Sequence, residues 1–67
     1  MISDRDIYAS ATLMIKRFGN DAPIEAAQRA EALLAEGDLD GRAVWMRIMA
    51  AAEALLRQTP GPDETIQ

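Results

Sequence analysis

Three carboxylates crowd five residues at Glu36, Asp38 and Asp40, interleaved with Gly37 and followed by Gly41. That composition suggests a calcium loop, which needs oxygen ligands at positions 1, 3 and 5, glycine at 6 and a bidentate acid at 12. Counted from Glu36, the sixth position is Gly41, but the twelfth is Arg47. A cation where the closing ligand belongs excludes the motif. The acids are expected instead to end one helix and cap the next, where the helix dipole favours negative charge.

Asp4, Asp6 and Glu31 offer carboxylates for proton transfer, but nothing around them supplies the apolar pocket that raises a carboxyl pKa. Ser3, Ser10, Thr12 and Thr59 have no histidine to activate them, since the chain contains none. Cysteine is absent too, which removes disulfides and thiolate metal sites. Lys16, the only lysine, falls opposite the apolar stripe of its helix. The expectation is a chain that is not an enzyme and has no catalytic, cofactor-binding or metal-binding residues.

Nucleic-acid binding would draw on Lys16 and Arg17 in the first helix and on Arg42 and Arg47 in the third. Two helices joined by a short glycine-containing turn give the outline of a helix-turn-helix. The candidate recognition helix, however, opens Asp38-Leu39-Asp40-Gly41 and would turn acids toward phosphates. The 67 residues also carry a net charge of −4, with a pI near 4.5, against the basic surplus expected of a duplex binder. An acidic helix-turn-helix is therefore the alternative reading, and nucleic acid is not the expected partner.

Two apolar residues sit badly on their helices. Leu13 projects among Ala9, Lys16 and Arg17, and Met46 among Arg42, Glu53 and Arg57. Isolated exposed apolar side chains are ordinary. The sharper reading makes Leu13, Met46, Arg42 and Arg47 a protein contact, with methionine as an adaptable surface.

Three helices are expected to position these groups. In the first, Ser3 caps the free N–H groups, Asp6 stands three residues on, and Ile2 and Ile7 have the spacing of a hydrophobic staple. Ile7, Ala11, Met14, Ile15 and Phe18 then recur at helical period, with Tyr8 on the margin, until Gly19-Asn20. The second helix opens at Asp21-Ala22-Pro23, where proline fits the first turn. Its apolar face is Ala26, Ala27, Ala30, Leu33 and Leu34, and Gly37 ends it. The third is capped by Asp38 or Asp40. Val44, Trp45, Ile48, Met49, Ala52, Leu55 and Leu56 give it the widest apolar arc, roughly 140°. Glu25–Arg29, Asp38–Arg42 and Glu53–Arg57 are acid-to-base spacings at i,i+4, each worth about 0.2–0.5 kcal/mol on a helix. Two prolines and a glycine in residues 59–67 predict a disordered tail.

Ser3-Asp4-Arg5-Asp6-Ile7, Asp21-Ala22-Pro23, Ala27-Gln28-Arg29-Ala30, Gly37-Asp38 and Ala43-Val44-Trp45 resemble a family of short uncharacterised alphaproteobacterial helical proteins, a domain of unknown function. In that family a D-A-P step opens one helix and a G-D…W pattern opens the next. The likeness covers about residues 3–57 and rests on caps and packing positions. It implies a small helical domain and transfers no site residue.

The reading is an all-α, compact three-helix domain of residues 1–58 with short loops, packed around Trp45, followed by the tail of 59–67. Its expected work is protein–protein interaction as an adaptor or regulatory subunit in the cytoplasm, with a protein partner or a second copy (a homodimer). No apolar run approaches the ~20 residues of a membrane span. A single core in a chain this short rarely supplies more than ~3–5 kcal/mol, and thirteen alanines bury little area each, so self-association bears directly on stability.

Overall fold

The computed structural model describes residues 2–58, so the expected tail lies outside the described residues. The described chain is all-helical, with α1 at Asp4–Phe18, a single 3-10 turn at Gly19–Asp21, α2 at Ala22–Ala35 and α3 at Leu39–Gln58. Among the described residues there is no strand, and no helix is long and apolar enough to cross a membrane.

Local chemistry fixes the ends as the residue types require. The Asp6 N–H donates to Ser3 Oγ at 3.2 Å, and the Ile7 N–H donates to the Ser3 carbonyl at 3.0 Å. Ile7 is buried, and Ile2 packs against the same core. At the end of α2, Gly37 turns with φ +82°. This lets the Asp38 N–H reach the Leu33 carbonyl at 2.9 Å and the Gly37 N–H the Leu34 carbonyl at 3.0 Å. That pair is a Schellman closure, which satisfies carbonyls the helix leaves free. Asp38, rather than Asp40, then caps α3, its Oδ1 accepting from the Gly41 N–H at 2.9 Å. The three acids at 36–40 thus lie where a helix ends and the next begins.

The expectation of three helices separated by two short loops is met only at this α2–α3 junction. Between α1 and α2 there is no loop. The Gly19 N–H still bonds the Ile15 carbonyl, and the Ala22 N–H bonds the Gly19 carbonyl. Helical hydrogen bonding therefore passes through the 3-10 turn, and residues 4–35 form one bent arm laid against α3. The bend lies at Gly19, whose φ of +60° changes the chain direction without releasing the backbone. Pro23 stands in the first turn of α2, where a missing N–H costs no bond.

The core also differs from the expected one in its centre. Ile7, Ala11 and Met14 from α1, Ala22 and Ala26 from α2, and Ile48, Ala51 and Ala52 from α3 form the buried cluster. The residues sealed to 0–1% exposure are all alanines: Ala11, Ala22, Ala26, Ala30 and Ala52. Trp45 is not the hub; it is half-buried and packs on the cluster from its edge, as do Ile15, Phe18, Val44, Met49 and Leu55. Leu34, placed on the inner face by periodicity, is 47% exposed. The cause is geometric. Ala22, Ala26 and Ala30 repeat at i,i+4, so α2 meets α3 along a smooth ridge and the two backbones approach closely. Of the larger side chains on α2 and α3 only Ile48 is buried there, while Leu33, Leu34 and Trp45 lie at the flanks.

Enlarging that seam should be costly. Ala26→Leu is expected to lose about 1–3 kcal/mol in urea unfolding through overpacking, against less than about 0.5 kcal/mol for the exposed Gln28→Ala.

Candidate interaction surface

Where α1 passes over the α2–α3 pair, its flank does not close against α2. A groove of about 380 Å³ remains, lined by Ser10, Leu13, Met14 and Arg17 from α1, Arg29 from α2 and Trp45 from α3. Leu13 is 60% exposed and stands at its edge, while Met14 belongs to the buried cluster and forms the inner wall. On the other side of Arg29 and Trp45, a second hollow of about 240 Å³ is bounded by Ala32 and Leu33. The indole is thus a shared wall between two depressions.

The two arginines of the groove are held by aromatic rings. The Arg29 guanidinium lies 5.2 Å from the Trp45 ring centre, and that of Arg17 lies 5.5 Å from the ring of Phe18. Both distances fall within the range of cation–π attraction. No described ion pair or hydrogen bond engages either guanidinium, and the expected Glu25–Arg29 pair does not form. Arg29 turns onto Trp45 instead of Glu25, and Asp38 is occupied with its cap. Solvated carboxylates compete weakly for a guanidinium that can lie on a ring and cover apolar surface.

The ion pair that does form among the described residues is long-range. Arg47 of α3 pairs with Asp4 at the start of α1 and donates to the Ile2 carbonyl at 3.4 Å. It ties the first turn of α1 to α3 and separates two further hollows, one bordered by Tyr8 and Ala50 and one by Asp40, Ala43 and Val44.

Of the four residues read from sequence as a partner contact, only Leu13 lines the groove; Arg17, a nucleic-acid candidate, lines it too. Arg47 is paired with Asp4. Arg42 and Met46, both half-buried, lie elsewhere on α3 and do not line that groove. Arg29 and Trp45 were not visible as a pair, since sixteen positions separate them and Glu25 offered Arg29 a nearer partner. Tyr8, Ile24 and Leu39, at 47%, 57% and 63% exposure, also stand outside the core. Among the described residues no group of three acids gathers in a way that would hold a metal.

Comparison with known proteins adds no relative: no protein-family profile, curated protein or solved structure matches this chain.

Two substitutions probe this surface. Arg29→Ala should uncover one face of the only tryptophan, moving its emission to longer wavelength and costing about 0.5–1 kcal/mol. Unchanged emission would contradict the stacked arrangement. Asp4→Asn breaks a pair whose side chains are 43% and 88% exposed, so chemical denaturation should register a loss below about 1 kcal/mol.

Proposed function

We propose that this chain is a non-enzymatic helical interaction domain, an adaptor or regulatory module working in the cytoplasm, with residues 1–58 as its folded unit. It meets protein partners, a second copy included, through apolar side chains kept on its exterior. The observation that carries this reading is an inversion of the usual distribution of side-chain size. The residues sealed to 0–1% are all alanine, whereas Tyr8, Leu13, Ile24, Leu34 and Leu39 remain 47–63% exposed. An interior in which six of the nine buried side chains are alanine gives limited hydrophobic stabilisation, at about 25 cal/mol per Å² buried. Covering the exposed leucines and isoleucine in a complex adds to it, and a ligand that binds only the folded form stabilises by mass action. Kinship with the short helical family rests on the D-A-P and G-D…W positions and is part of the same proposal.

The alternative of an acidic helix-turn-helix drew on Arg42 and Arg47. Arg47 already has a carboxylate partner in Asp4, which reduces the basic surface that reading requires.

The reading is tested by paired capture from the native cell with wild-type, Leu13→Asp and Lys16→Glu chains, and by sedimentation across a concentration series. A partner or an oligomer retained by Lys16→Glu and lost in Leu13→Asp is the expected result. A chain that stays monomeric at high concentration and retains no protein specifically would end this reading.

A further inference from the structure

The groove joins apolar walls to a pair of cations. It offers apolar walls in Leu13, Met14 and Trp45, and it places two cations at its margins with no carboxylate among its lining residues. In a chain of net charge −4 with only seven basic residues, two of them on one small depression make a local reversal of sign. Both cations are prepositioned. Each guanidinium lies over a ring, Arg17 over Phe18 and Arg29 over Trp45, and its N–H donors have no described acceptor. Ion pairing elsewhere consumes Arg47, so Arg17 and Arg29 are an available pair of donors beside exposed apolar surface.

We infer that the groove between α1 and α2 docks an acidic peptide segment of a partner protein, one that places a leucine-like side chain against Leu13 and Trp45 and carboxylates on Arg17 and Arg29. This rests on the interaction-domain reading and specifies its surface and its ligand. Charge complementarity selects the ligand: a segment with a few acids meets the local positive spot, whereas a polyanion such as nucleic acid meets the remaining negative surface as well. The apolar walls demand an anchor that a phosphate backbone does not have. Arginine held on a ring loses little further freedom when a carboxylate arrives, so each contact forms at low entropic cost.

Trp45 is the only tryptophan and lines the site, so its emission reports occupancy directly. The full chain is titrated with three blocked helical peptides: one of paired glutamates and leucines, one with lysines for the glutamates, and one with serines for the leucines. The glutamate–leucine peptide should shift the emission and bind saturably, with an affinity that falls as salt is raised; the other two should not bind. Arg17→Glu and Arg29→Glu should each weaken binding about tenfold or more, whereas Lys16→Glu, the same charge change on an exposed position of α1, should leave it within about twofold. Circular dichroism checks that the variants stay helical, and the wild-type comparison stands even where one does not. No saturable shift with the glutamate–leucine peptide, equal binding of the lysine peptide, or displacement by oligothymidylate at equal concentration would overturn the inference. So would loss of peptide binding whenever the chain self-associates, which would give the groove to a second copy. If peptide binding fails while Leu13-dependent capture or self-association persists, only this assignment falls; if all of them fail, the interaction reading falls with it.

Discussion

The contact between α2 and α3 is built mainly from alanines with Ile48, and most other features of the molecule follow from it. Ala22 and Ala26 on one helix share the buried cluster with Ile48, Ala51 and Ala52 on the other, and Ala30 is buried on the same face of α2. Alanine-rich faces let two helices approach toward the short end of the ~8–10 Å range of interaxial distances. So close an approach gives dense dispersion contact but leaves no room for a leucine or an indole between the backbones. Trp45 and Leu33 are therefore half-exposed at the border of the seam, and Leu34 is exposed beyond it.

A narrow core has to be closed carefully at its ends. The Schellman closure at Gly37 and the Asp38 cap join α2 to α3 with almost no intervening chain, so the alanine ridges come into register by local chemistry. At the other end of α2 the connection is stiffer still, because the 3-10 turn keeps the backbone hydrogen-bonded through the bend. With both connections so short, the position of α1 is determined by the Gly19 bend, by Ile7, Ala11 and Met14 in the core, and by Arg47 holding its first turn. Laid at that angle, α1 covers α3 more than it covers α2. The uncovered wedge beside α2 is the groove.

The arginines illustrate how weak local electrostatics yields to packing. Helical ion pairs at i,i+4 are worth only a few tenths of a kcal/mol, and the solvent screens them. A guanidinium laid on an aromatic face gains comparable energy and also shields apolar carbon. Arg29 on Trp45 is thus an outcome of the tertiary fold. It turns a residue that reads as helix decoration into part of a surface where cationic and apolar groups lie side by side.

Much of the fold was legible in the residue order. Ser3, Gly37 and Asp38 mark helix ends because each satisfies or permits a backbone bond that only a terminus needs, Gly19 and Pro23 mark the bend within the 4–35 arm, and the periodicity of Ile7, Ala11 and Met14 identifies the buried stripe of α1. Periodicity gives the direction in which a side chain points but not how near the neighbouring helix stands. For that reason Trp45 and Leu34 read as interior, while Ala22 passed unnoticed. The Asp4–Arg47 and Arg29–Trp45 partnerships join residues far apart in the chain, and no local rule ranks such pairs above nearer candidates. Helix type and helix ends were set by short-range backbone chemistry. Which apolar residues are sealed, which arginines are engaged and where a groove opens depended on interhelical distance and angle, and only three-dimensional packing decides those.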